Sequence, residues 1–247
     1  MDGEKLLFDP FLSRNDKAFK PLLDELSASG HVLVTHGHYD HAADIPAILR
    51  HGGGKTTVYC TASPRNALIS KGVEAARIRR VAPGDTLNIG PFEINVLKGK
   101  HIVFDKALLI KTLVNPGILS NWSNFRQMFK ENKIFTEAGE TVVYHIAASG
   151  RSVLLMGSLN LDDDTEYPKN ADLLIMPFQG RSDIGGYAVQ FIRRLQPKKI
   201  LLDHYDNTFP PVSSYVNPEP FIKLMRQKYP DIPVICPRVG ADWVGTI

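Results

Sequence analysis

The chain has 247 residues, of which 43% are hydrophobic and 22% charged, a composition that excludes an intrinsically disordered protein. Its formal charge of +3, from 29 Lys and Arg against 26 Asp and Glu, is too small an excess to indicate a nucleic-acid track or an anionic membrane surface. The two cysteines, Cys60 and Cys236, do not make a disulfide framework, and Lys or Arg interrupts every candidate membrane span. We therefore expect a cytoplasmic protein with neither a membrane nor a nucleic acid as partner.

Short apolar runs predict ten strands along the chain. They lie at 5–8, 31–35, 56–60, 92–97, 107–113, 141–148, 152–156, 172–176, 199–202 and 233–236. Apolar residues spaced by three and four predict helices at 17–29, 45–51, 63–71, 186–195 and 218–229. A hairpin-like turn at 149–151 makes the middle partly antiparallel. The pattern predicts a single α/β domain over residues 1–247 and disfavours a purely parallel, doubly wound sheet.

Three imidazoles and one carboxylate stand within six positions after the strand at 31–35. These residues are His36, His38, Asp40 and His41. A loop at the carboxyl end of a strand can turn all four side chains toward one point, which a regular strand or helix cannot do at this spacing. Imidazole and carboxylate suit zinc, manganese or iron. The motif therefore predicts a divalent-metal site, with zinc as the first expectation and manganese or iron as alternatives.

The H-x-H-x-D-H pattern resembles the signature of the metallo-β-lactamase superfamily. Residues 6–12, which include Asp9, and residues 203–210, which include His204, resemble the branch that contains L-ascorbate-6-phosphate lactonase. His101, after the strand at 92–97, matches the superfamily's middle histidine in order and position. The resemblance covers residues 5 to about 210. It implies an αββα sandwich of two mixed β-sheets flanked by helices, with the metals at one edge.

Carried onto this chain, the resemblance implies two groups of metal ligands. The first comprises His36, His38 and His101, and the second comprises Asp40, His41 and His204. A water shared between two cations becomes a nucleophile near neutral pH, and Asp40 would orient that water and shuttle its proton. Asp9 would hold a ligand in orientation from behind or serve as a turn residue before Pro10, and both interpretations stay open.

One position departs from the superfamily pattern. After the strand at 152–156 the superfamily has a bridging Asp that follows Gly, whereas this chain has Gly157 and Ser158. A neutral hydroxyl is a poor substitute for a carboxylate between two divalent ions, so we expect one ion, or a second ion held weakly. An acid from the loop at 162–164 is the alternative source of compensating charge.

The resemblance implies a metal-dependent hydrolase that uses a metal-activated hydroxide on a small ester, lactone or phosphate-bearing metabolite. Two alternatives stay open. Ser158 is also compatible with a non-catalytic or attenuated protein that binds metal or ligand. A nuclease of the same fold would need a basic exosite or an added gripping domain, for which the length and charge of this chain leave little room.

Two segments differ from the rest of the pattern. Residues 115–139 form a variable insertion whose large apolar side chains have roughly helical spacing, which favours a helix packed on its own core over a lid or a dimer element. Only five residues precede the Leu6 run, where superfamily members usually have about two strands. A trimmed amino terminus would leave a sheet edge open to a second copy and so favour a homo-oligomer, and a wrongly assigned start is the other interpretation.

Overall fold

Parallel β-strands form the smaller of two sheets in the protein. The computed structural model describes residues 4–12, 14, 23–53, 56–115, 117–211 and 213–237. The smaller sheet has the order β1-β2-β3-β4 and comprises Leu6–Phe8, His31–Leu33, Thr57–Cys60 and Ile78–Arg80. Each neighbouring pair in it is parallel. The smaller sheet is therefore parallel throughout, whereas the sequence led us to expect that both sheets would be mixed.

The larger sheet is mixed and has seven strands. In chain order β5 to β11 are Thr86–Ile89, Phe92–Lys98, Val142–Ala148, Arg151–Met156, Leu173–Pro177, Ile200–Asp203 and Val234–Ile235. They lie side by side in sequence order. The pairs from β5 to β8 are antiparallel and those from β8 to β11 are parallel. The predicted hairpin turn is confirmed, because Ser149 and Gly150 join β7 to β8 with φ of 50° and 76°, the positive values of a two-residue hairpin turn.

Helices lie outside the two sheets. In chain order α1 to α9 are Leu23–Ser27, Tyr39–Ala42, Ile45–His51, Ala62–Ser70, Lys106–Leu113, Gly117–Ser120, Trp122–Glu131, Ile184–Leu195 and Glu219–Lys228, with a 3-10 turn at Ala75–Arg77. No helix within the described residues is both long and apolar enough to cross a bilayer. Residues 17–22, the first part of the helix predicted at 17–29, lie outside the described residues.

Three buried clusters confirm the αββα class. Leu33 and Tyr59 of the smaller sheet are buried with Ile94 and Tyr144 of the larger one, so the two sheets face each other across one cluster. A second cluster packs α3 and α4 on the outer face of the smaller sheet, and a third packs α8 and α9 on the outer face of the larger sheet. The layers are therefore helix, sheet, sheet and helix.

The strand predicted at 107–113 is wrong, because these residues lie in α5. A short apolar run does not distinguish a buried strand from a helix, and this run is rich in Ala, Leu and Lys, which favour helix. Asp105, just before the helix, accepts a hydrogen bond from the Leu108 N–H at 2.8 Å, a contact typical of a helix start. The strands β4 and β5 were not predicted, since each is short and polar on its exposed face.

Two hydrogen bonds join the sheets beside the carboxyl end of β2. The backbone N–H of Val142 donates to the Thr35 carbonyl at 2.8 Å. The hydroxyl of Tyr144, which is fully buried, donates to the Val34 carbonyl at 2.9 Å. The larger sheet thus fixes the backbone immediately before the histidine motif.

Candidate metal centre

The candidate ligands come from three chain segments that end at the same edge of the sandwich. His36 and His38 lie in the loop after β2, whereas Asp40 and His41 lie in the short helix α2 and not in a loop as predicted. His101 follows β6, and His204 follows β10 directly. The six side chains form two groups of possible metal ligands, within each of which the ligand atoms lie within 4.8 Å of one another.

The first group comprises His36, His38 and His101. Nε2 of His36 and Nδ1 of His38 are 3.2 Å apart, and the ring of His101 lies 4.6 Å from that of His38. Two nitrogens bound to one tetrahedral zinc at about 2.0 to 2.1 Å would be about 3.3 to 3.4 Å apart. The spacing of this pair fits two corners of one coordination shell.

The second group comprises Asp40, His41 and His204. Oδ2 of Asp40 lies 3.3 Å from Nε2 of His204 and 3.8 Å from Nε2 of His41. The rings of His36 and His41 are only 3.9 Å apart between centroids, so the two groups adjoin. Two neighbouring ion positions are therefore available at this edge.

Asp9 lies behind both groups. Its Oδ2 accepts a hydrogen bond from the Thr35 hydroxyl at 2.6 Å, and that hydroxyl lies 3.0 Å from Nδ1 of His36. The same Oδ2 is 2.9 Å from Nδ1 of His41, an ion-pair contact without good hydrogen-bond alignment. These contacts favour protons on both Nδ1 atoms, which leaves Nε2 of His36 and of His41 free to bind a metal.

Asp9 also occupies a turn. Its φ is 44°, in the left-handed region, and its backbone N–H donates to the Leu33 carbonyl at 3.1 Å. Asp and Asn tolerate this conformation better than most residues. The turn directs the carboxylate toward Thr35 and His41.

The first group favours neutral imidazoles. Burial, together with the charges of the neighbouring histidines, holds the pKa of His36 well below its ordinary value. Burial and the charge of His101 lower the pKa of His38 to about 4, and burial lowers the pKa of His101 as well. A neutral imidazole is the form that ligates a metal, so this group is ready to bind one near neutral pH.

In the second group the pKa values of the two histidines are raised, whereas those of the first group are lowered. Burial opposes ionisation of Asp40, yet His41 and His204 overcome it and hold the pKa of the carboxyl well below its usual range. Burial lowers the pKa of His204, but the hydrogen bond and charge of Asp40 outweigh it and raise that pKa to about 9. Asp9 and Asp40 raise the pKa of His41 in the same way. In the absence of a cation, protons neutralise this group.

These observations agree with a divalent cation at each group. The first group offers converging neutral nitrogens, and the second offers a carboxylate whose negative charge is balanced by imidazoles that hold extra protons. Neutral imidazoles in one group, and an ionised carboxylate balanced by protons in the other, are the protonation states expected of side chains arranged around a cation.

Ser158 holds the loop that carries His101. Its side chain is buried, and its Oγ accepts a hydrogen bond from the Ile102 N–H at 2.9 Å. Asn160 donates from Nδ2 to the His101 carbonyl at 3.1 Å. Nδ1 of His101 lies 2.9 Å from the Ile102 carbonyl, which favours a proton on Nδ1 and leaves Nε2 for a metal.

The acidic loop at 162–164 does not contribute to either group. Asp162 pairs with Lys98 at 2.9 Å, and Asp163 pairs with Lys100. Within the described residues, Asp40 remains the one carboxylate in the two groups. The compensation that this loop was considered to supply is therefore not found.

Glu137 is an acid near the centre that the sequence analysis missed. Its negative charge opposes the lowering of the pKa of His38 and His101 that burial causes. Burial opposes ionisation of Glu137, but its hydrogen bonds with Thr141 and Gly139 and the charge of His101 lower its pKa. The carboxylate accepts hydrogen bonds from the Thr141 hydroxyl at 2.6 Å and the Gly139 N–H at 2.8 Å. Its only sequence signal is its place in the 115–139 insertion.

That insertion forms α6, α7 and the segment after them. Phe135 is buried, and Met128 packs against the cluster on the smaller sheet, so the expectation of packing on the chain's own core holds for these two side chains. Trp122 and Phe129 are exposed. The insertion therefore has one face on the core and one face open to solvent.

Comparison with known proteins agrees with this fold. Residues 4–117 match the Beta-lactamase superfamily domain. A UPF0173 metal-dependent hydrolase of Pyrococcus furiosus is 26% identical over 240 residues, which cover 92% of this chain and 87% of the relative. One of Enterococcus faecalis is 28% identical over 227 residues, with coverage of 90% and 86%.

Among solved structures, the chain is similar to Igni18, described as a novel metallo hydrolase from the hyperthermophilic archaeon Ignicoccus hospitalis. The two share 17% sequence identity with a TM-score of 0.60, over 98% of this chain and 90% of the other. At that identity the likeness concerns the fold.

The arrangement of sheets and helices is the metallo-β-lactamase fold, and the two ligand groups form a candidate metal centre. The curated relatives to which the chain is similar in sequence bear the designation UPF0173 metal-dependent hydrolase.

Proposed function

We propose that this protein hydrolyses a small ester, lactone or phosphate-bearing metabolite at the centre formed by the two ligand groups. The observation that carries the proposal is the contact between the groups, with the rings of His36 and His41 3.9 Å apart. Zinc is the first expectation for the cation, and manganese and iron suit the same ligands. The lactone component depends on the resemblance of residues 6–12 and 203–210 to the lactonase branch.

The chain's own residues supply position and proton transfer. A divalent cation, when bound, contributes Lewis acidity and lowers the pKa of water toward about 7. Asp40 stays ionised at neutral pH and lies 3.3 Å from His204, which supports a role for its carboxylate in orienting a water and shuttling its proton. Phe104, whose ring lies 5.9 Å from that of His101, covers one side of the centre with an apolar surface.

Ser158 supports a second candidate function. Because its hydroxyl is neutral and accepts the hydrogen bond of Ile102, it brings no negative charge to the space between the groups. A centre with one carboxylate for two cations could bind metal or ligand without rapid turnover. An attenuated or non-catalytic metal-binding protein is therefore the alternative to an active hydrolase.

Metal stoichiometry and activity separate the two functions. The untagged protein would be purified without chelator, analysed for zinc, manganese and iron, and assayed on a panel of a phosphodiester, an ester and a lactone. Turnover that Asp40→Asn abolishes and His51→Gln leaves unchanged would support the hydrolase, since His51 lies outside both groups. Bound metal without turnover would support the alternative. No metal after zinc or manganese is added would overturn both.

A further inference from the structure

Exposed large apolar side chains concentrate in one part of the chain. Among the described residues eight such side chains are exposed, and all but Tyr215 fall between residues 103 and 129. They are Val103, Phe104, Ile110, Val114, Leu119, Trp122 and Phe129. Leu119 is 83% exposed, Trp122 57% and Phe129 55%. Single exposed apolar residues are ordinary, but such a concentration is typical of an interaction surface.

The helix α7 shows how this surface is built. Its inner face packs on the protein, because Asn124 donates to the Pro210 carbonyl at 2.8 Å and Met128 contacts the core cluster. The opposite face carries Trp122, Phe125 and Phe129 at spacings of three and four. Their rings contact one another, at 5.8 Å and 4.8 Å between centroids. A continuous aromatic stripe therefore faces away from the core.

Basic residues flank that stripe. Arg126 and Lys130 project beside it at helical spacing, and both are exposed. Lys106 at the start of α5 and Lys133 after α7 are exposed as well. Within the described residues none of these four cations has a carboxylate within 4.0 Å.

The acids of this segment have other partners. Asp105 accepts hydrogen bonds from the backbone and the hydroxyl of Ser182, at 2.6 and 2.9 Å. Glu131 pairs with Lys71 at 2.7 Å. Residues 103–133 contain five Lys or Arg and two Asp or Glu, so the entire formal excess of +3 lies in this segment and the rest of the chain is balanced. The whole-chain charge conceals this asymmetry.

We propose that the surface formed by residues 103–133 docks on an anionic lipid surface. Trp and Phe on one side of a helix with Lys and Arg beside them are the pattern of a helix that lies in the membrane interface, and the exposed Leu119 of α6 precedes this helix by three residues. Each cation near an anionic bilayer contributes about 1 kcal/mol, or roughly a fivefold change in binding. The small net charge and the interrupted apolar runs of the sequence predict no membrane partner, whereas the local charge of this segment leads to the opposite inference.

A second copy of the chain fits this surface less well. A symmetric dimer would bring the same patch of two chains together and place Arg126 and Lys130 near their own counterparts. Like charges across an interface oppose association, and the acids of the segment are already paired. A partner that is both anionic and apolar is complementary to the cations and to the exposed apolar side chains of this surface.

The segment at 103–133 begins beside the metal centre. Val103 and Phe104 follow His101 after the buried Ile102, and the Phe104 ring is 5.9 Å from the His101 ring. A bilayer bound at residues 103–133 would therefore lie beside the mouth of the centre. The docking itself depends on no step of the proposed hydrolysis.

Cosedimentation with vesicles tests the proposal. The full chain would be mixed with neutral phosphatidylcholine vesicles and with vesicles that contain 30% phosphatidylglycerol, at low salt and at 0.5 M NaCl. We expect binding to the anionic vesicles at low salt, and at least a tenfold weaker partition onto the neutral ones. The double variant Arg126→Gln/Lys130→Gln should weaken anionic binding roughly 25-fold, since each lost cation costs about fivefold.

Matched variants separate the apolar contribution from misfolding. Leu119→Ser/Trp122→Ser should weaken vesicle binding at least tenfold, whereas Tyr215→Ser, the exposed apolar residue outside the segment, should leave it unchanged. Unaltered thermal unfolding and metal content would show that the variants are folded. Absence of vesicle binding, binding that ignores lipid charge, or a dimer that Leu119→Ser/Trp122→Ser converts to a monomer in light scattering would overturn the proposal.

Discussion

Ser158 accepts a hydrogen bond at 2.9 Å from the backbone N–H of Ile102, the residue that follows the candidate ligand His101. The two residues are separated by 56 positions in the chain, so this contact fixes a metal-ligand loop from a distant strand end. Ser158 thus performs a structural task at the position where the superfamily pattern has a charged bridge. The substitution removes charge and keeps a hydrogen-bond acceptor.

Replacement of Ser158 should separate these two roles. Ser158→Ala leaves the buried Ile102 N–H without its partner, so we expect a loss of about 1 to 3 kcal/mol in the free energy of unfolding and weaker metal binding at the first group. Ser158→Asp keeps an acceptor and adds negative charge, so it should bind the second ion at least tenfold more tightly and hydrolyse faster. Calorimetric metal titration and denaturant unfolding would measure both.

We expect Ser158→Ala to weaken metal binding and Ser158→Asp to strengthen it, so either result can contradict the two roles assigned to Ser158. Equal second-ion affinity in Ser158→Asp and the parent would show that missing charge at this position does not limit the centre. Unchanged unfolding of Ser158→Ala would show that the Ile102 contact contributes no stability.

The sequence identified four of the six ligands because His36, His38, Asp40 and His41 stand within six positions of one motif, and the other two, His101 and His204, because each follows a predicted strand at a position that matches the superfamily pattern. The H-x-H-x-D-H pattern and the strands before it required only local information. The place of Glu137 near the centre and the contact of Ser158 with Ile102 could not be predicted from the sequence, since each depends on loops that meet only after folding. The error at α5 has a similar cause, because a short apolar run is ambiguous until its neighbours are known.

Asp9→Asn should weaken metal binding at both groups together. The carboxylate contacts His41 directly and reaches His36 through the Thr35 hydroxyl, so loss of its charge removes the preference of both rings for a proton on Nδ1. Loss of such a supporting contact typically costs 10-fold to 100-fold in metal affinity. Asp24→Asn is the matched control, since Asp24 is exposed and far from the centre. A selective loss at one group would contradict the shared role.

Gly157→Ala should disturb the centre without touching a ligand. A methyl group at this position would overlap the Thr35 side chain, which links Asp9 to His36. Thr35 must move, so we expect a loss of about 1 to 3 kcal/mol in stability and a lower affinity at the first group. Gly30→Ala is the control, because nothing lies within 4 Å of the added methyl. Equal behaviour of the two variants in thermal unfolding and metal titration would refute the packing argument.

Metal binding at the two groups should differ in its dependence on pH. In the metal-free protein the pKa of His204 is raised to about 9, so its imidazole carries a proton at pH 7, and the stabilising pair that it forms with Asp40 is lost as pH rises through about 9. A cation at the second group must displace that proton, and its affinity should rise between pH 6.5 and 8.5 by up to tenfold per pH unit for each proton displaced. The pKa of His38 is about 4 and that of His36 lies well below its ordinary value, so affinity at the first group should change little over the same range.

Calorimetric titration in two buffers with different ionisation enthalpies would count the protons released by each ion. We expect about one proton for each raised imidazole when the second group fills, and almost none when the first group fills. His204→Gln should remove the proton that His204 releases at the second group, while His51→Gln should not alter the release. Equal proton release for both ions would mean that the histidines of the first group are also protonated before metal binds, contrary to the lowered pKa values that burial gives them.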